Sequence, residues 1–82
     1  MKLLVIGAGM MGAAAAYDMA RNCNVVSVTV VDSDRRRARQ AADRVNRMTR
    51  RKIAQAVALD VAQPKKIARL MAEHDAALSA VP

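Results

Sequence analysis

The sequence predicts an α/β fold in which parallel strands alternate with helices. Four short apolar, β-branched runs recur along the 82 residues, and segments with helical periodicity separate them. All three glycines fall in one loop, directly after the first apolar run. Short loops between alternating strands and helices imply right-handed crossovers and a parallel sheet. We therefore expect the order β-α-β-α-β-α-β, with the strands arranged 3-2-1-4 as in the first half of a doubly wound domain.

The first strand and helix follow directly from their patterns. Lys2 to Ile6 is almost entirely apolar, which is typical of a parallel strand buried on both faces. The helix after it is predicted from about Met10 to Arg21. Its inner face has the spacing i, i+3, i+4, i+7 and is small enough to lie close to a sheet: Ala13, Ala16, Tyr17 and Ala20.

The second strand is predicted from Val25 to Val31 because that run is mostly β-branched, and Asp32 ends it. Ser33 or Asp34 can cap the helix that follows, since either side chain can accept hydrogen bonds from the first turn. The apolar stripe of this second helix comprises Ala38, Ala41, Ala42, Val45 and Met48.

The last two strands flank a third helix. The third strand is predicted from Ile53 to Leu59 and ends at Asp60. Pro64 suits the first turn of the third helix, and its expected inner face is Ile67, Leu70 and Met71. The fourth strand is predicted from Ala76 to Val81. It would form an apolar edge that nothing in the chain covers, so we expect a further domain or a second copy of the chain against it.

The loop Gly7-Ala8-Gly9-Met10-Met11-Gly12 carries the functional prediction. Three glycines at this spacing are weak evidence alone, but here they follow a strand, open a helix and precede an acidic residue, Asp32, at the end of the next strand. The first glycine permits a tight turn, the second lets a pyrophosphate approach the backbone, and the third lets the helix pack on the sheet. This context predicts a Rossmann-like dinucleotide-binding domain.

The predicted strand order brings four loops to one edge of the sheet. The glycine loop, Asp32, Asp60 and the segment Ala80 to Pro82 all follow carboxyl ends of strands. In such sheets, ligands bind in the crevice where the chain direction switches, which here lies between the first and fourth strands. The sequence therefore predicts that these loops form one dinucleotide-binding crevice.

Composition narrows the class of protein. With only one aromatic residue, Tyr17, an 82-residue chain has a thin core, which suggests that it belongs to a larger unit. No apolar run reaches the ~18 residues of a membrane span, so no membrane association is expected. A single cysteine, Cys23, excludes an internal disulfide and fits the reducing cytoplasm. No Cys or His pair has ligand spacing, so no metal site is predicted.

The net charge of +7 is concentrated in one segment. Residues 35–52 contain nine basic side chains and one acid, Asp43. The favoured interpretation is a solvated helix face. Nucleic-acid binding is disfavoured because no aromatic stacking residues lie nearby. Contact with an acidic face of a further domain stays as the alternative.

The chain resembles the amino-terminal domain of the saccharopine dehydrogenase-like family, which includes saccharopine reductases and lysine dehydrogenases. The resemblance lies in residues 2–12 with Ala16-Tyr17-Asp18-Met19-Ala20, in Ala58-Leu59-Asp60-Val61, and in residues 74–82. It spans essentially the whole chain, which covers only the first half of the family's cofactor domain. It implies NAD(P)-dependent chemistry at a carbon–nitrogen bond of an amino acid. The family's substrate and catalytic groups lie in a later domain, so the resemblance implies no catalytic residue here.

By resemblance, specific residues are expected around the cofactor. The pyrophosphate would lie against Gly7, Gly9, Met10, Met11 and Gly12. The adenosine ribose would meet Asp32 and Ser33, and the adenine would lie between Asp60 and Val61. The path towards the nicotinamide ribose would be lined by Ala80, Val81 and Pro82.

The cofactor is predicted to be NAD, because the Asp32 carboxylate would repel a 2′-phosphate. Arg35 to Arg37 follow closely, and an arginine there can pair with such a phosphate, so NADP stays as the alternative. His74, the only histidine, is expected to cap the third helix rather than to act in catalysis.

Two other functions compete with this interpretation. One is a regulatory nucleotide-sensing module of the kind that gates potassium transporters, which also begins with a strand, this glycine loop and an acidic strand end. The other is a dehydrogenase of a different family that shares the Gly9-x-x-Gly12 start. In each case we expect the 82 residues alone to bind a dinucleotide without turnover.

Overall fold

The computed structural model describes residues 1–80, which form a four-stranded parallel sheet with three helices. The strand order is β3-β2-β1-β4, as the sequence predicts. The elements in chain order are β1 Lys2–Ile6, α1 Met10–Ala20, β2 Ser27–Asp32, α2 Arg35–Thr49, β3 Ala54–Ala58, α3 Pro64–Ala72 and β4 Ala76–Ser79.

The strands are shorter than predicted, most clearly at the start of β2. This strand begins at Ser27, opposite Lys2 of β1. Val25 lies in the preceding loop, where its carbonyl accepts a hydrogen bond from Arg51, and Val26 is 65% exposed. β3 lacks the predicted Ile53 and Leu59, and β4 ends at Ser79, so Ala80 follows the strand. The predicted strand residue Val81 lies outside the described residues, as does Pro82.

One face of the sheet forms the core with α1 and α2. The side chains of Leu3, Val5, Val28 and Val30 meet the small inner faces of these helices, where Ala16 and Ala20 are fully buried. Alanine lets both helix backbones come close to the sheet, so a core with few large side chains still excludes water. The predicted stripe of α2 is confirmed at Ala38, Ala41, Ala42 and Val45.

Two predicted core methionines are wrong. Met48 of α2 is 51% exposed, because it lies with Tyr17 and Asp18 along the outer groove between α1 and α2. Met71 of α3 is also exposed. α3 buries no residue fully, and only its Ile67 and Leu70 are half-buried, since this helix alone covers the second face of the sheet.

The edge strand β4 is exposed at all four of its residues, including the large apolar side chain of Leu78. It pairs with β1 on one side only. This agrees with the prediction that the described chain leaves the fourth strand uncovered.

A short polar network ties α3 to the centre of the sheet. Nδ1 of His74 lies 2.7 Å from the carbonyl oxygen of Leu70, to which only a protonated nitrogen can donate. Thr29, on β2, accepts a hydrogen bond from Gln55 and in turn faces Nε2 of His74 at 2.8 Å. With Thr29 donating to Nε2, every member is satisfied when His74 is neutral. His74 thus caps the end of α3, as predicted.

Arg51 has a structural role that the charge pattern does not predict. Its guanidinium donates to the carbonyl oxygen of Ala20 at 2.8 Å and to that of Val25 at 3.0 Å. These oxygens belong to the end of α1 and to the loop before β2. A cation at a helix C-terminus is favourable, because the last carbonyls there lack partners within the helix. The interpretation of residues 35–52 as a solvated face is therefore wrong for Arg51.

Arg50 ends α2 in the left-handed conformation, with φ 57° and ψ 32°. Glycine adopts this conformation without the steric cost that a Cβ imposes. We expect Arg50→Gly to raise the free energy of unfolding by about 0.5–1 kcal/mol, as judged by chemical denaturation. Arg50→Ala removes the same charge but keeps the Cβ, and it serves as the control. An equal gain in both variants would assign the effect to charge instead.

Candidate dinucleotide-binding site

The carboxyl ends of β1, β2 and β4 surround a cavity of about 770 Å³, within the range of sites for cofactors. It opens where the chain direction switches between β1 and β4, as the topology predicts. The cavity is lined by Gly7, Ala8, Gly9, Met10, Met11, Asp32, Ser33, Arg37, Val61, Ser79 and Ala80.

The first and third glycines of the loop are needed for its shape. Gly7 has φ 104°, which side chains with a Cβ rarely adopt, and its N–H donates to the carbonyl oxygen of Val31 at 2.7 Å. A Cβ on Gly12 would lie 1.8 Å from the carbonyl oxygen of Gly7. Gly12 is buried and does not line the cavity. Its contribution is to let α1 begin directly against the end of β1.

The amino terminus of α1 faces the cavity. Its N-cap is Gly9, which has no side chain to accept hydrogen bonds, and the first turn contains no acidic residue. The N–H groups of this turn are thus the ones that a phosphate can use. The side chains of Met10 and Met11 are 92% and 78% exposed, and they provide apolar surface at the rim of the cavity.

Asp32 ties the end of β2 to the glycine loop. Its Oδ2 accepts from the N–H of Ala8 at 2.9 Å, and its Oδ1 accepts from the N–H of Asp34 at 2.9 Å. Partial burial raises the pKa of Asp32, but the N–H groups of Asp34 and Ala8, together with the charge of Arg37, outweigh it and hold the pKa below its usual value. The side chain is therefore an anion that still has lone pairs for a ligand hydroxyl.

The structure distinguishes between the arginines that follow β2. Of Arg35, Arg36 and Arg37, only Arg37 lines the cavity. Its Nη2 would lie 3.3 Å from a Cβ placed on Gly9, so the guanidinium lies beside the loop. Helical position explains this, because Asp34 caps α2 through Arg36 N–H and Arg37 N–H and thereby fixes the direction in which each side chain leaves the helix.

Other predicted residues differ in where they lie. Val61 and Ala80 line the cavity. Asp60 is not among the residues lining it; its Oδ1 accepts from the N–H of Ala62 at 2.9 Å, in the turn before α3. A role for Asp60 at the adenine stays a prediction. Val81 and Pro82 lie outside the described residues.

Sequence reasoning missed Ala8 and Ser79 as lining residues. Ala8 lies inside the glycine motif, where the pattern draws attention to the glycines. Ser79 pairs with Ile6 at the end of the sheet, a register that needs the three-dimensional alignment of β4 on β1. The signal available for Ser79 was its place one residue before the predicted Ala80.

Comparison with known proteins agrees with this geometry. Residues 3–82 match the family described as the saccharopine dehydrogenase NADP binding domain. The chain belongs to this family. It also resembles the quinate dehydrogenase from Corynebacterium glutamicum, whose structure was solved in complex with NAD. The two share 28% sequence identity and superimpose with a TM-score of 0.84 over 99% of this chain and 27% of that enzyme.

The family and the fold establish a Rossmann-like NAD(P)-binding domain of the dehydrogenase type. The chain spans about a quarter of the length of the quinate dehydrogenase that it matches. Within residues 1–80, no helix has the length and apolar character needed to cross a membrane. The same residues contain no group of three or more His, Cys, Asp or Glu side chains that could hold a metal ion.

Proposed function

We propose that the chain is the cofactor-binding part of a cytoplasmic NAD(P)-dependent oxidoreductase that acts on a carbon–nitrogen bond of an amino acid. The observation that carries the dinucleotide role is the single cavity formed by the glycine loop, Asp32, Val61 and Ala80. Residues 1–82 form the first part of the cofactor domain, and the substrate domain with its catalytic groups lies outside them.

The residues around the cavity suit the parts of a dinucleotide. The pyrophosphate lies at the amino terminus of α1, against Gly7, Gly9, Met10 and Met11, while Gly12 sets the approach of the helix. Asp32 and Ser33 accept and donate hydrogen bonds at the adenosine ribose, with Asp60 and Val61 near the adenine. Ala80 and Val81 border the path to the nicotinamide, which carries the hydride when the cofactor is bound.

The amino-acid substrate class rests on the family. The resemblance to saccharopine and lysine dehydrogenases includes the segments around Asp60 and after His74, and residues 3–82 match the saccharopine dehydrogenase family. The second candidate is dehydrogenation of a substrate like that of the quinate dehydrogenase, favoured by the structural match at 28% identity. No comparable observation favours the nucleotide-sensing module.

The binding role is tested by titrating the full encoded polypeptide with NADH and following nicotinamide fluorescence. We expect saturable binding that Gly9→Val weakens at least about tenfold, because the added methyl groups occupy the approach of the pyrophosphate. Ala14→Val adds similar bulk on the exposed face of α1, outside the cavity, and should leave the affinity unchanged. Absence of binding to the unsubstituted protein would contradict the proposal.

The substrate class is tested by following formation of reduced cofactor with saccharopine, lysine and quinate as alternative substrates. Turnover of an amino acid by the full polypeptide supports the first candidate, and turnover of quinate alone supports the second. The 82-residue chain by itself should bind the cofactor without turnover, because the proposed catalytic groups lie elsewhere.

A further inference from the structure

A second cavity of about 270 Å³ adjoins the first on the side of α2. The two cavities share four lining residues, so a ligand in one can extend into the other. The second is lined by Ala8, Gly9, Met10, Ala13, Arg37, Gln40, Ala41 and Arg44. It thus has two guanidinium groups, one side-chain amide and no acidic side chain.

The polar side chains of this second cavity come from one face of α2. Arg37, Gln40 and Arg44 are spaced i, i+3, i+7, which places them along the same side of a helix. This side faces the amino terminus of α1, whose partial positive charge adds to that of the arginines. The arrangement favours a compact, multiply charged anion.

The charges of these two arginines are available to a ligand. Within residues 1–80 the ion pair that forms is between Arg21 and Asp18, on α1, and it involves neither Arg37 nor Arg44. Arg37 also lies near Asp32, where its positive charge opposes the repulsion that the carboxylate would exert on a phosphate.

We propose that this second cavity binds the 2′-phosphate of NADP, with Arg44 and Gln40 as the residues that extend recognition beyond the cavity for NAD. The inference rests on the proposed dinucleotide function. The adenosine ribose at Asp32 and Ser33 lies next to the shared wall of the two cavities, and its 2′ substituent reaches Arg37 there. Arginine suits this role, since its fork of donors matches the oxygens of a phosphate. The sequence predicts NAD from the repulsion by Asp32; this cavity removes that penalty, so NADP binds as well.

The test is a pair of titrations, with NADPH and with NADH, on the full encoded polypeptide. We expect NADPH to bind at least as tightly as NADH. Arg44→Gln should weaken NADPH about 10-fold to 100-fold, which corresponds to the loss of one charge-assisted contact, and should change NADH less than about threefold. Adenosine 2′,5′-bisphosphate should compete more strongly than AMP, and this difference should disappear in Arg44→Gln.

Arg47→Gln is the matched control, because it removes the same charge from the same helix at a position outside both cavities. It should alter NADPH affinity less than about twofold. Equal losses in Arg44→Gln and Arg47→Gln, or equal losses for both dinucleotides, would overturn the phosphate site and indicate general electrostatic attraction. NADH binding without NADPH binding overturns this site alone, whereas binding of neither overturns the proposed function as well.

Discussion

Alanine in place of Gly12 is expected to unfold a large part of the protein. The new Cβ would lie 1.8 Å from the carbonyl oxygen of Gly7 and 2.8 Å from its carbon. Both are backbone atoms, and the N–H of Gly7 is held by Val31, so neither side can move without opening the end of the sheet. The expected loss is about 3 kcal/mol or more, against a total of roughly 4–12 kcal/mol for a chain of this length.

The measurement is chemical denaturation followed by circular dichroism. Gly9→Ala is the matched control, since the nearest atom to its new Cβ is Nη2 at the flexible end of Arg37, at 3.3 Å. Its cost should stay below about 1 kcal/mol, the usual effect of alanine at an N-cap. Equal stability of Gly12→Ala and the unsubstituted protein would mean that α1 does not begin against β1 as described.

Asn in place of Asp32 is expected to loosen the glycine loop and destabilise the protein by about 1–3 kcal/mol. The carboxylate accepts from Ala8 and Asp34 through different oxygens. An amide has one oxygen, so one of these N–H groups would face another donor. Dinucleotide affinity should fall as well, because the same side chain is proposed to bind the ribose. Thermal unfolding and NADH titration together measure the two effects.

The Asp32 anion also predicts a dependence of stability on pH. Its pKa is lowered in the folded protein, because N–H groups and Arg37 outweigh the opposing effect of burial. Its contribution is therefore complete above the unfolded pKa of ~3.9 and is lost as the pH falls through the lower folded value. The difference in unfolding free energy between the unsubstituted protein and Asp32→Asn should narrow below about pH 4.

Asp60→Asn is the control for both measurements. Asp60 is exposed and forms a turn to Ala62 through one oxygen, a bond that asparagine can keep. We expect its stability to stay within about 0.5 kcal/mol of the unsubstituted protein. A constant gap between Asp32→Asn and the unsubstituted protein across this pH range would contradict the lowered pKa of Asp32.

Much of the fold was predictable because local and global signals agree. Apolar runs gave the four strands, the small inner faces gave the helices, and the right-handed crossover rule gave the strand order. The errors occur where periodicity continues past the core. Met48 follows the stripe of α2, but by that turn the helix faces the outer groove beside α1. Val25 has strand propensity, but its carbonyl is bound by Arg51.

The site was predictable in its loops and less so in its side chains. The glycine motif and Asp32 have fixed positions relative to strand ends, so their convergence follows from topology. Arg37 is different, because Arg35 to Arg37 look alike in sequence and the cap at Asp34 determines which one turns towards the loop. Arg44, twelve residues after Asp32, has no motif to mark it.

The sequence by itself determined the class of fold, the strand order and the place of the glycine loop, since these depend on short-range periodicity and on chirality. Only the tertiary structure decided which cations have partners, because that depends on distances between residues far apart in the chain. Arg51 binds the end of α1, Arg37 lies beside Gly9, and Arg44 shares a cavity with it. The net charge of the segment is the same in each case; the packing of α2 against α1 gives each arginine its different surroundings.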